Sequence, residues 1–194
     1  MMNRKQVILI VAMLFTILQL EAQLGVQVGN KAPLFKAADQ NGVTIDLADK
    51  IKAGPVVLFF YRGQWCPHCN RYLSDVQDSL QYISDKGAFV VAITPEKVEG
   101  IEKTVKKTGA KFSLVYDEGH QIMDAYDVTF ELSGSKHLMY KTAGIDINKA
   151  SGNEDRALPI PATFIIDQKG MVQVRHFDTD YKKRMTVEHI INAL

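Results

Sequence analysis

Apolar residues along this chain fall into short unbroken runs, separated by stretches in which they recur every three or four positions. Val56-Val57-Leu58-Phe59-Phe60-Tyr61 and Ala88 to Ile93 are continuous apolar segments of strand length, and Ala162 to Ile166 is another interrupted only by Thr163. Such runs are the pattern of strands buried on both faces. After the first run, Tyr72, Leu73, Val76, Leu80 and Ile83 repeat at helical spacing up to Gly87. This predicts an amphipathic helix there. Glu96 to Lys107 reads as a charged helix, Phe112 to Tyr116 as a short strand, and Gln121 to Tyr126 as a helix. Strand and helix therefore alternate, which argues for crossover units around a central sheet.

The ends of the pattern differ from its middle. In the lead-in from Gln23 to Lys52, Gln40-Asn41-Gly42 separates two alternating segments and predicts a small hairpin. Between 129 and 158 the chain is polar, with Gly and Ser and little periodicity, and reads as an insertion. Ala162 to Asp167, a turn at Gln168-Lys169-Gly170 and Met171 to Phe177 form a closing hairpin, followed by a helix from Val187 to Leu194.

Composition narrows the class. With 194 residues, 46% hydrophobic and 23% charged, the chain fits one soluble globular domain. Its 23 Lys+Arg against 22 Asp+Glu leave a formal charge of +1. Without a basic run, nucleic acid is not an expected partner. Arg4 and Lys5 precede an uncharged apolar run from Val7 to Leu20. That run is shorter than the ~20 residues a spanning helix needs. Residues 1–22 therefore read as a secretory signal peptide cleaved after Ala22, leaving a 23–194 domain that is periplasmic or extracellular. An uncleaved segment would tether it to the membrane. Neither reading settles an oligomeric state.

The chemistry lies in the chain's two cysteines, Cys66 and Cys69, spaced by two residues where the first apolar run gives way to the helix. This is the arrangement of a thiol-disulfide centre. Cys66 at a helix N-terminus would have its thiolate favoured by free N–H groups and the macrodipole. Pro67 suits the first helical position. His68, when protonated, would add positive charge beside the thiolate. On this reading Cys66 is an exposed, acidic attacking thiol, placed toward the lower end of the span of about 3.5 to about 7 known for such motifs. Cys69 is the sheltered resolving thiol. Trp65 either shields the centre and shapes the partner surface or simply packs in the core. A metal site is the competing reading. Zinc needs four ligands, and only the scattered His68, His120, His137, His176 and His189 are available to complete the set. A copper(I) carrier using both thiolates remains a further alternative. No cofactor or resident metal is expected.

A second signal comes from Ile160-Pro161, just ahead of the Ala162 run. A proline at a strand entry is a candidate for a cis bond, with Pro159 a less favoured second.

Ala32-Pro33-x-Phe35, the run Phe59-Phe60-Tyr61-Arg62-Gly63-x-Trp65-Cys66-Pro67-x-Cys69, and Ile160-Pro161-Ala162-Thr163-Phe164-Ile165-Ile166-Asp167-x-x-Gly170 resemble the redoxin branch of the thioredoxin superfamily. More narrowly they resemble peroxiredoxin-like proteins of the alkyl hydroperoxide reductase and thiol-specific antioxidant (AhpC/TSA) group. Phe177-x-x-x-Asp180-Tyr181-x-x-Arg184 is also similar to that group's tail. The resemblance implies a thioredoxin-like three-layer α/β sandwich with a mixed, mainly parallel sheet, and a cis-proline loop lying against the cysteine pair. It also implies thiol, disulfide or hydroperoxide substrates and a separate thiol reductant or oxidant. Two departures stand out. The family's peroxide-holding Thr is here Gly63, and its Arg is here Pro161. Arg62, Arg156, Arg175 and Arg184 are the candidates to replace that charge. The leading expectation is thiol-disulfide exchange through Cys66 and Cys69, with peroxide reduction through a Cys66 sulfenic acid as the alternative.

Overall fold

The computed structural model describes residues 24–194, so the expected leader 1–22 lies outside the described residues. A five-stranded sheet runs in the order β5-β4-β3-β8-β9, built from β3 (Val56–Phe60), β4 (Phe89–Thr94), β5 (Ser113–Tyr116), β8 (Ala162–Ile166) and β9 (Val172–Phe177). β3 pairs in parallel with β4, as does β4 with β5, whereas β8 is antiparallel to both β3 and β9. The sheet is thus mixed, and its parallel share stops at two of four pairings because the last two strands return as a hairpin. The lead-in forms its hairpin, β1 (Lys36–Ala38) with β2 (Thr44–Asp46).

Because successive strand residues point to opposite faces, β3 feeds two cores. Val57 and Phe59 join Tyr72, Leu73, Val76, Ile83, Ile101 and Ile190 on one face. These come from α2 (Pro67–Asp78), α3 (Leu80–Asp85), α4 (Val98–Thr108) and α8 (Val187–Ala193). Val56, Leu58 and Phe60 join Leu47, Ile51, Ile122 and Tyr126 on the other. That face is covered by α1 (Leu47–Ala53) and α5 (Gln121–Ala125) with the residue after it. The result is the expected three-layer sandwich. The helix read from Tyr72 to Gly87 is two helices, parted at Ser79, whose ψ of 6° departs from helical geometry.

The 129–158 stretch is structured. It contains β6 (Thr129–Glu131), α6 (Gly134–Thr142), α7 (Ile147–Ser151) and β7 (Ala157–Pro159), with β6 and β7 paired antiparallel. A small third core of Leu132, Ile147 and Leu158 holds it, with Trp65 packed against that core.

The chain enters β8 through Ile160 and Pro161, and here one expectation is corrected: no peptide bond among the described residues is cis. β7 and β8 are extended segments separated by only these two residues, and the Ile160 N–H donates to the Val128 carbonyl at 2.7 Å. The chain runs on without the tight turn that a cis bond serves.

Candidate active site

β3 releases the chain at Phe60, and six residues later Cys66 is the N-cap of α2, with Pro67 at the first helical position. The intervening connection is held from several sides. The Gln64 N–H donates to Glu96 Oε2 at 2.7 Å, Asn70 Nδ2 and Lys107 Nζ donate to the Gln64 carbonyl, and the Cys66 N–H donates to the Gly63 carbonyl at 3.1 Å. Gly63 has φ +150°, and a Cβ there would lie 2.6 Å from Trp65 Nε1 and 3.1 Å from the Glu96 carboxyl. No Thr could occupy this position unless the indole and the carboxyl moved, which accounts physically for one departure from the family pattern. Gly100, inside α4, makes room for the same carboxyl, since a Cβ would fall 2.3 Å from Glu96 Cδ. Burial pushes the Glu96 carboxyl up to about 7, with the Gln64 N–H and the charges of Lys103 and Lys107 opposing it.

The two sulfurs are brought together. Cys69 donates to Cys66 Sγ at 2.7 Å, and both are free thiols. That hydrogen bond is the largest influence drawing the Cys66 thiol down to about 6, against burial; the Cys69 N–H and the charges of Arg62 and Arg184 add to it. The Cys69 thiol is raised well above its ordinary value by burial and by its neighbour. The structure places one thiol drawn down beside one pushed up, and three details differ from the sequence reading. Cys66 is not exposed: it retains 2% of its surface, because it lies in the same core cluster as Tyr72 and Met185. A pKa of about 6 belongs to the upper part of the expected span. His68 is exposed, with its ring edge-on to Tyr181 at 5.6 Å, and the cations acting on Cys66 are the two arginines.

These arginines are the finding that sequence left open. Arg184 Nη2 donates to Cys69 Sγ at 3.5 Å. Arg62 is only 3% exposed, and its guanidinium lies over the rings of Tyr181 (4.3 Å), Trp65 (4.9 Å) and Tyr140 (5.5 Å) while donating to the Tyr140 hydroxyl. Among the described residues it has no ion-pair partner. The other two candidates are engaged elsewhere, Arg156 with Glu131 and Arg175 with Gln27 and the Leu24 carbonyl. Trp65 is half-buried and meets Tyr140 edge-on at 5.3 Å, so it both packs and borders the site. Pro161 and Ile160 are buried at the same end of the sheet as the motif, since β8 begins where antiparallel β3 ends.

Sequence reasoning missed Glu96 and Tyr140. Glu96 read as the start of a charged helix, although a glycine four residues on, within that helix, was a signal that something large needs the space. Tyr140 lies in the aperiodic insertion and carried no signal. Among the described residues, no group of three or more His, Cys, Asp or Glu side chains lies close enough to share a metal ion.

Comparison with known proteins agrees with this geometry. The AhpC/TSA family profile matches residues 28–175. Peroxiredoxin Q of Populus jackii is 30% identical over 146 residues, covering 75% of this chain but 58% of its own length. Peroxiredoxin Bcp of Bacillus subtilis is 25% identical over 169 residues, 87% of this chain and 93% of its own. Among solved structures, peroxidoxin BcpB of Mycobacterium tuberculosis superposes with a TM-score of 0.66 at 20% identity, over 87% of this chain and 96% of its own. That likeness carries the fold. With the profile spanning both cysteines and every strand of the central sheet but the end of the last, the chain belongs to the AhpC/TSA family.

Proposed function

We propose that the protein is a peroxiredoxin-like, thiol-dependent peroxidase. The observation that carries this reading is the acidic Cys66 thiol, hydrogen-bonded by Cys69 at 2.7 Å with Arg62 and Arg184 supplying positive charge. The Cys66 thiolate attacks the outer oxygen of a hydroperoxide. The O–O bond breaks, an S–O bond forms, and the leaving alkoxide takes a proton to become the alcohol or water. The resulting sulfenic acid condenses with the Cys69 thiol, forming the disulfide and releasing water. Positive charge near the reacting sulfur favours the thiolate and the charge growing on the leaving oxygen. The relatives named peroxiredoxin support the same chemistry here. In the residues that usually hold peroxide, Gly63 and Pro161 depart from the family, and the two arginines take over the electrostatic part of that role. Export to a periplasmic or extracellular space is inferred from the leader-like residues 1–22, and N-terminal sequencing of the mature protein tests it.

Stopped-flow mixing of the reduced protein with hydrogen peroxide is the deciding measurement. Oxidation of Cys66 several orders of magnitude faster than a free thiol is expected, with Cys69→Ser accumulating the sulfenic acid. A rate no better than that of a small thiol removes the peroxidase reading. It leaves thiol-disulfide exchange at the same two cysteines, a reading favoured by the absent Thr.

A further inference from the structure

A cavity of about 450 Å3 lies against Arg184 and Tyr72, two neighbours of the buried Cys69, and the redox chemistry above does not use it. Its wall includes Arg184, whose Nη2 is the group 3.5 Å from Cys69 Sγ, and Tyr72, one helical turn beyond Cys69. Arg71, Lys182 and His68 also line it, with Asp75 the one acidic residue facing them. Neither Arg71, Lys182 nor Arg184 joins an ion pair among the described residues, and Arg184 Nη1 is buried without a hydrogen-bond partner. Three cations thus converge on a concavity of ligand size, on Cys69's side of the site, with one carboxylate to offset them.

We infer that this cavity is the subsite for the carboxylate of a small thiol that re-reduces the Cys66–Cys69 disulfide. This rests on the reading above only in taking that disulfide as the oxidised state. The carboxylate settles against Arg71 and Lys182 and draws the Arg184 guanidinium off Cys69. The thiolate RS⁻ then forms an S–S bond to Cys69 Sγ while the Cys66–Cys69 bond breaks. Cys66 leaves as a thiolate, and the more acidic thiol is the better leaving group. A second RS⁻ attacks the R-bound sulfur, giving RSSR and freeing Cys69. Two thiols are oxidised and the protein disulfide is reduced; of their two protons, one ends on Cys69 and the other passes to solvent.

The test uses protein oxidised with diamide, so that no peroxide is involved, and follows reduction through Trp65, the chain's single tryptophan, with mass spectrometry as the check. 3-Mercaptopropionate is compared with 2-mercaptoethanol and cysteamine, each rate being referred to its thiolate fraction and to the nucleophilicity set by its thiol pKa. The carboxylated thiol is expected to react about tenfold faster than the neutral one, and the amine-bearing one slower, as expected for one or two partly screened ion pairs. The preference should vanish in Arg71→Ala/Lys182→Ala and collapse in wild type with added salt. It should persist in Lys183→Ala, whose side chain pairs with Asp178 instead. Equal corrected rates in wild type overturn the assignment, as does a preference that survives the double variant or high salt. So does discrimination confined to a pair of carboxylated and neutral alkyl hydroperoxides acting on reduced protein, which would make the cavity a peroxide subsite. Slow oxidation by hydrogen peroxide would count against the peroxidase reading alone.

Discussion

Cys66 is acidic through the agency of four groups on three residues, and the three side chains among them can be removed one at a time. Its thiol is drawn down mainly by the Cys69 hydrogen bond, then by the Cys69 N–H and by the charges of Arg62 and Arg184. Cys69→Ala should therefore raise the Cys66 pKa more than Arg184→Gln does, by about one to two units against a fraction of a unit, read from thiolate absorbance in the ultraviolet. The reverse order would mean that charge, not the short sulfur contact, sets the acidity. The same shift predicts a sign for stability. A group whose folded pKa is depressed stabilises the fold above its unfolded pKa and loses that contribution as pH falls through the folded value. Reduced wild type should thus gain stability over Cys66→Ser as pH rises from about 6 to about 9. Glu96 has the opposite sign. Its carboxyl is raised from 4.5 to about 7, so the folded protein holds a proton the unfolded chain has lost, and its contribution falls as pH rises through that window. Denaturant titration of Glu96→Gln against wild type should show the variant becoming relatively more stable between pH 4.5 and 7, by up to about 3 kcal/mol. A difference independent of pH would show that the carboxyl titrates normally.

At the scale of elements, the connection from β3 to α2 carries one of the chain's two departures from the family pattern, Gly63. Restoring the family's residue with Gly63→Thr puts a branched side chain at φ +150°, against the Trp65 indole and the Glu96 carboxyl. A loss of about 2 kcal/mol or more in unfolding free energy is expected, in line with strained backbone of this kind. A neutral effect, combined with faster peroxide turnover, would show that the loop relaxes and that Gly63 is not required. Elements also show what could be read from sequence and what could not. β3, β4 and β8 were legible because strands buried on both faces leave a nearly unbroken apolar record. The motif was legible because a cysteine pair and a proline at a helix start have few other uses. The break at Ser79 was not, because the apolar positions on either side keep one helical period across it. The trans bond at Pro161 was not, since it depends on β7, a strand in the segment that showed no period. Nor was the burial of Cys66, which is imposed by tertiary neighbours rather than by anything within the motif.

Across the whole molecule, the Arg62 guanidinium ties three distant parts of the chain to one point. Trp65 comes from the motif itself, Tyr140 from α6 in the inserted segment, and Tyr181 from the stretch between β9 and α8. A buried cation without a carboxylate partner is costly. Ring faces and a hydroxyl offset part of that cost, and the Cys66 thiolate offsets more of it. α6 buries none of its own residues, so it depends on contacts such as those of Tyr140 with Trp65 and Arg62 to hold its place. Tyr140→Ala should therefore act in two directions at once. Water reaching Arg62 weakens its field, and the Cys66 pKa rises by less than one unit. Meanwhile the opened cage admits reagents, and alkylation of Cys66 at a pH where the thiol is fully ionised accelerates severalfold. Tyr140→Phe keeps the ring and loses only the hydroxyl, so it should stay near wild type in alkylation rate. Hydrogen exchange across residues 134–142 would separate this from simple unfolding. Faster exchange in that helix alone, with β3 and β4 still protected, accompanies an opened cage. Unchanged alkylation in Tyr140→Ala would mean that the insertion does not guard the cysteines.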